Sequence, residues 1–202
     1  MIGCIRKESC KMVKRYSIAI YPSKYVIDVV KSMKDLLKSK VKDNWYSSCN
    51  SVGHITICEF EIDESQIEKI KQKIYEICDT FIPFQIYLNH FGAYKNSNAF
   101  YIGTTENSKI DLEPIMKKMQ DYCKSLKPLK FKKSNDPHMS IGRKLTPENL
   151  KIASELFTTI EIDFLCDSIV LRELEPYKQF FVIETFPFGS NPQPELIQGS
   201  LF

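Results

Sequence analysis

Histidine is scarce in this chain, with three in 202 residues, and several familiar signals are missing outright. No apolar run approaches the ~18 residues that a membrane-spanning helix needs, so no membrane association is expected. The N-terminal stretch MIGCIRKESCKMVKRYSIAIYP has basic residues but lacks the apolar core and small-residue cleavage site of a secretory leader. The seven cysteines are an odd number and include no CxxC pair, the spacing that marks many zinc and redox sites. Cys58, Cys78 and Cys123 fall inside apolar segments, where a reduced thiol packs as a small core residue. A reducing, cytoplasmic setting is the expectation. Charge of one sign is also lacking. Twenty-eight Lys and Arg against 25 Asp and Glu leave a formal +3, which allows an anionic ligand but does not suit a protein that coats long nucleic acid.

What is present is alternation. RYSIAIY (15–21) and VGHITICEF (52–60) read as half-buried strands, and residues 24–41 between them place Val26, Val30, Met33 and Leu37 on one helical face. Asp63 and Gln66 stand at capping-box spacing before a helix carrying Ile67, Ile70, Ile74 and Ile77. FQIYLNHF, ending near Gly92, is the next strand. The order then repeats: a strand at AFYIGT (99–104), a helix over 109–126, a strand at HMSIGR, and a helix opened by Thr146 and Pro147 in the preferred cap and first-turn positions. IDFLCDSIVLREL and QFFVIETF close the chain as strands.

An offset of 84 residues, from 54 to 138, superposes elements of the same kind with almost no shared identity. It also carries FQIYLNHFG (84–92) onto SIVLRELEP (168–176). The expected fold is therefore α+β and bilobal, with duplicated β-α-β-α-β lobes whose antiparallel sheets face a central cleft. The expected divisions are an N-terminal extension (1–14), a first lobe (15–92), a second lobe (93–190) and a C-terminal tail (191–202).

Two of the three histidines open the same pattern of His, apolar, hydroxyl, apolar: HITI from His54 and HMSI from His138. Residues i and i+2 of a strand share a face. His54, Thr56 and Cys58 are thus expected on one side of the first motif strand, and His138 and Ser140 on one side of the second. If a pseudo-twofold axis relates the lobes, two imidazoles and two hydroxyls meet in one cleft. Such a site suits phosphodiester chemistry. A neutral imidazole takes a proton from the attacking oxygen, an imidazolium protonates the leaving oxygen, and the hydroxyls donate to non-bridging oxygens. Histidine supplies both forms near neutrality, so no metal is required. A single His-x-Ser/Thr carries little weight; the pairing within a repeat gives it force.

The paired motifs, one in each half of a chain of this length, resemble the two-histidine (2H) phosphoesterase superfamily and, within it, the 2′-5′ RNA ligases, also described as RNA 2′,3′-cyclic phosphodiesterases. The resemblance spans residues 15–187. It implies a bilobal fold, His54 and His138 as the acid/base pair, Thr56 and Ser140 as phosphate ligands, and no cofactor. It implies action on cyclic phosphate RNA ends or 2′-5′ linkages without ATP, with RNA ends or small nucleotides as partners and no obligate protein partner.

Other residues divide less cleanly. An arginine at the place of Arg143 also occurs in the family, yet its odd offset from His138 points it away from the cleft unless the strand bends at Gly142. His90 lacks a following hydroxyl and reads as a surface or locally bonded group. Trp45, Tyr46 and Tyr94 lie near predicted loops and offer rings to a nucleobase, with nothing to select among them. The lysine-rich run KSLKPLKFKK (124–133) reads as a solvated connector or, in the alternative, an RNA-backbone contact with Phe131 as a stacking ring. Zinc held by His54, His138 and Asp136 is disfavoured for want of a tight ligand cluster. Two rivals remain: an enzyme for a small cyclic nucleotide such as ADP-ribose cyclic phosphate, and a nucleotide-binding module without turnover.

Overall fold

The structure, a computed structural model, describes residues 12–175 and 179–189. Most of the expected extension and all of the expected tail lie outside them. The elements run β1 (Val13–Ile20), α1 (Lys24–Lys40), β2 (Ile55–Asp63), α2 (Ile67–Cys78), β3 (Phe84–Tyr94), β4 (Ala99–Thr104), α3 (Glu106–Ser125), β5 (Lys130–Lys133), β6 (His138–Gly142), α4 (Pro147–Leu156), β7 (Ile162–Cys166), β8 (Ser168–Leu174) and β9 (Phe180–Pro187). The alternation β-α-β-α-β occurs twice, in the order the hydrophobic periods dictate. Thr146 accepts from the Asn149 amide with Pro147 in the first turn, as expected, and the structure adds Ser23, which accepts from the Val26 amide at the start of α1. Asp63 caps a short 3₁₀ turn at Glu64–Gln66, so α2 itself begins one turn later, at Ile67.

Among the described residues the strands join one antiparallel sheet in the order β7-β3-β4-β6-β2-β1-β8-β9, with β5 on the side of β2. The middle of this path is a single residue pair, Ile55 of β2 with Met139 of β6. These residues are equivalent under the 84-residue offset, so the pseudo-twofold axis passes through their pairing. On one side lie β6, β4, β3 and β7; on the other lie β2, β1, β8 and β9. Each half therefore takes its two inner strands from one repeat, but β3 pairs with β4 while its repeat-mate β8 pairs with β1. The expected boundary at residue 92 falls inside β3. The stretch expected as one strand, IDFLCDSIVLREL, is two: β7 pairs with β3, β8 pairs with β1, and the chain passes between the halves at Asp167.

The helices interlock the repeats in the same way. α1 packs on β6 and α3 packs on β2. The core consists of the apolar side of the sheet and the helix faces beneath it, including Ile18, Ile20, Val30, Ile55, Ile74, Met119 and Met139. Full burial of each such side chain contributes roughly 1.5–3 kcal/mol. All five described cysteines are free and buried.

Candidate active site at the seam of the two half-sheets

Both motif strands carry a bulge at the same repeat position. Ala19 pairs with Thr56 and Ile18 with Cys58, leaving Ile57 as the extra residue. Tyr101 pairs with Ser140 and Phe100 with Gly142, leaving Ile141 extra. A bulge resets the alternation of faces, and two expectations change with it. Cys58 does not share the face of His54 and Thr56; it is buried in the core, next to Cys123. Arg143, beyond the second bulge, is returned to the cleft side, where it is exposed.

At the seam the antiparallel pairing of Ile55 with Met139, continued one step either way, sets His54 opposite Ser140 and Thr56 opposite His138. Directly opposed residues have Cβ atoms about 4.5–5.5 Å apart. The structure thus brings the four motif residues together on one face, all of them half-buried.

The imidazoles are held identically. His54 Nδ1 lies 2.7 Å from the Val52 carbonyl and His138 Nδ1 2.8 Å from the Asp136 carbonyl, again equivalent under the offset. A carbonyl accepts only, so each ring carries its proton on Nδ1 and keeps Nε2 for the cleft. Burial is the first cause that lowers both pKa values. For His54 the drop is large, reinforced by the Arg172 charge and, more weakly, by Lys34 and Arg143, while the Val52 bond opposes it. For His138 the bond to Asp136 and the Asp136 carboxylate oppose the drop, and Arg143 again favours it.

Different groups frame the two rings. Around His138, Tyr94 and Tyr101 stack at 4.4 Å, and both rings contact the imidazole at 5.2 and 5.0 Å. The Tyr94 hydroxyl donates to the Asp136 carboxylate and lies 3.5 Å from His138 Nδ1. Asp136 also pairs with Lys109 at 3.0 Å. Burial opposes the Asp136 charge, but the bonds from Tyr94 and Lys109 outweigh it and hold the carboxyl below its usual range. Around His54, the Tyr21 ring stacks with the imidazole at 6.0 Å. Beyond it lies Arg172, only 2% exposed.

Of the three rings considered for stacking, Tyr94 belongs to the site, Trp45 is exposed, and Tyr46 is core, donating to the Lys34 carbonyl at 3.2 Å. His90 is exposed and bonded to Asn89, as expected. Its ring nevertheless lies over Gly103, the cross-strand partner of His138, where a Cβ would collide with it. The lysine-rich run begins in the last turn of α3 and ends in β5, with Lys130 paired to Glu61 at 3.1 Å. A cavity of about 560 Å³ behind it, between α3 and the loop leading to His138, is separate from the histidines. One of about 360 Å³ opens beside Tyr21, lined by Leu165, Val170, Val182 and Thr185.

Sequence reasoning missed Arg172, Tyr21 and Lys34. Lys34 is buried in α1 and donates at 2.8 Å to the backbone and side chain of Ser51, anchoring the loop that leads to His54; burial pushes its pKa down to about 8. No three His, Cys, Asp or Glu side chains cluster as metal ligands among the described residues, and no described helix is long and apolar enough to cross a membrane.

Comparison with known structures follows this geometry. The protein TT0787 of Thermus thermophilus matches with a TM-score of 0.64 at 15% identity, over 87% of this chain and 98% of that one. E. coli LigT complexed with 3′-AMP matches with a TM-score of 0.61 at 10% identity, over 88% and 99%. A protein described as a phosphoesterase matches with a TM-score of 0.57 at 13% identity, over 88% and 99%. No curated protein matches the chain in sequence. These structures share its fold. The model of the 2′-5′ RNA ligase superfamily matches residues 42–177, two thirds of the sequence and both histidine motifs. The chain belongs to the 2′-5′ RNA ligase superfamily, and with it to the 2H phosphoesterases.

Proposed function

We propose that the protein is a metal- and ATP-independent phosphoesterase that opens 2′,3′-cyclic phosphate ends of RNA or acts on 2′-5′ linkages. The observation that carries this reading is the pair of imidazoles with the same tautomer, each keeping Nε2 for a shared face that also holds Thr56 and Ser140. In hydrolysis, water attacks phosphorus while His54 Nε2 takes its proton. The P–O3′ bond breaks, His138 protonates O3′, and a 2′-phosphate remains. His54 is the base because the fixed charges that act on it are cations; His138 is the acid because the Asp136 carboxylate favours its charged form. Thr56 and Ser140 donate to the non-bridging oxygens, and Arg143 adds positive charge at the rim. With a 5′-hydroxyl in place of water, the same transfers break P–O3′, protonate O3′ and leave a 2′-5′ linkage.

A smaller substrate is the second reading. The cavity of about 360 Å³ beside Tyr21 falls in the range of small-ligand sites and suits one nucleoside, as in ADP-ribose cyclic phosphate. LigT has been crystallised with 3′-AMP, NADP+, ATP and phosphate, which supports nucleotides as the ligand class here.

A panel of 2′,3′-cyclic mononucleotides, short RNAs with cyclic ends, and ADP-ribose cyclic phosphate, assayed in EDTA, tests the proposal. Turnover to 2′-phosphates that survives chelation is expected. Activity lost in EDTA and restored by zinc or manganese would move the reading to a metal hydrolase. Binding without turnover across the panel would leave a nucleotide-binding module.

A further inference from the structure

Arg172 is a buried cation without a hydrogen-bonded carboxylate among the described residues. Its Nη2 donates to Ser17 Oγ at 2.6 Å, the Tyr21 side chain favours its charge, and its Nε is buried with no partner. The guanidinium carbon lies 5.9 Å from the Tyr21 ring centre and 5.1 Å from that of Phe180. Burying a charge this way is costly unless other interactions offset it, and Glu59, the carboxylate that favours its charge, is already paired with Arg15.

Strand register shows what the position is for. Ile20 of β1 pairs with Ile55, and Ile102 of β4 pairs with Met139, each the residue after a motif histidine. The two half-sheets therefore superpose Ile20 on Ile102, and Ser17 on Ala99. Ser17 pairs with Arg172, and Ala99 pairs with Tyr94. Arg172 stands in the His54 half where Tyr94 stands in the His138 half, and Tyr94 contacts its histidine directly. From its strand, Arg172 reaches Ser17 and Tyr21. Between those two lies Ala19, the cross-strand partner of Thr56.

We propose that Arg172 is the positioning residue of the His54 half, holding Tyr21 against the imidazole and fixing a positive charge beside Thr56 for the substrate phosphate. This rests on the paired-histidine reading and extends it. The charges that face His54 are Arg172 from β8, Lys34 from α1 and Arg143 from the end of β6, with Tyr21 as the stacking ring. All three charges are positive, and Arg172 acts most strongly. Removing it should let His54 take up a proton at higher pH.

The test uses the full chain, whose three histidines are resolvable by NMR titration. In Arg172→Met, His54 should titrate at higher pH while His138 does not move. The acid limb of kcat/KM should rise with it, and inhibition by inorganic phosphate should weaken about tenfold or more, as for a lost charged hydrogen bond. A purely structural role would disturb both histidines or neither. Arg172→Lys keeps a charge but cannot grip Ser17 and Tyr21 together. It should retain phosphate inhibition while kcat falls, and this arm stands even if Arg172→Met does not fold. Unchanged His54 titration and phosphate inhibition in a folded Arg172→Met, or wild-type kcat in Arg172→Lys, overturns the proposal. Wild-type turnover in His54→Ala would instead overturn the catalytic reading beneath it.

Discussion

The two motif histidines have the same backbone acceptor and opposite electrostatic company, cations around His54 and a carboxylate near His138. In the proposed mechanism, that difference gives a direction to the proton transfers. His54→Ala or His138→Ala should each lower kcat on a 2′,3′-cyclic phosphate by about 10²–10⁴-fold, the usual range for a lost acid or base. Thr56→Ala and Ser140→Ala should cost about 1.5–3 kcal/mol of transition-state binding, one charged hydrogen bond each. The pH dependence follows from burial. Both imidazoles sit below the ordinary ~6.5, so the basic limb of kcat/KM, set by loss of the acid's proton in the free enzyme, should lie on the acid side of that value. A bound phosphate favours the charged form, so the kcat profile should be displaced to higher pH. Coincident profiles with a basic limb above pH ~7.5 would contradict the assignment. The histidines themselves were legible in the sequence because each motif carries its own signal in four residues. Arg172 was not. In SIVLREL it reads as an ordinary strand charge, and the contact that defines it is with Ser17, 155 residues away.

Among the elements, the bulges decide which side chains reach the cleft, and α3 holds one of them open. Gln120 Nε2 lies 3.0 Å from the Ile57 carbonyl and 2.7 Å from the Ser134 carbonyl, and the Ser134 amide donates to the same Ile57 carbonyl. One side chain thus ties the bulge of the first motif to the loop that delivers Asp136 and His138. Gln120→Met, similar in size but without donors, should cost about 1–3 kcal/mol by leaving polar groups short of a partner. It should also lower kcat more than it raises KM, because the Asp136 carbonyl that fixes the His138 tautomer loses its support. Chemical denaturation and steady-state kinetics on one variant check both parts; wild-type kcat with reduced stability would confine Gln120 to the core. The strands and most helices follow from hydrophobic period, and the start of α4 from Thr146 and Pro147. The bulges do not, since Ile57 and Ile141 are apolar whether the strand is regular or kinked. β5 escaped notice because KFKK buries only part of one ring.

For the whole molecule, the 84-residue repeat could be read from element order, but the exchange of β3 and β8 between half-sheets could not. Alternation says that a strand has a buried face and is silent about which neighbour it joins. The exchange places a seam, held by the pairing of Ile55 with Met139, under the site, so the chemistry depends on the two halves staying together. It also ties global stability to the protonation of the histidines. Each has a folded pKa below its unfolded value. Between those values the unfolded chain binds more protons, so unfolding free energy rises with pH through the interval and is lost as pH falls. Stability should therefore decline from about pH 7 to about pH 5, a window above that in which Asp136 and the other carboxylates take up protons. A His54→Gln/His138→Gln double variant should show a flatter dependence across the same range. If the proposed site takes inorganic phosphate, the anion favours charged imidazoles and should stabilise the wild type increasingly as pH falls. Denaturant midpoints at several pH values, with and without phosphate, measure all three. A double variant with the wild-type slope would show that the imidazoles are not buried in their neutral forms, and the pH assignments for the catalytic pair would fail with it.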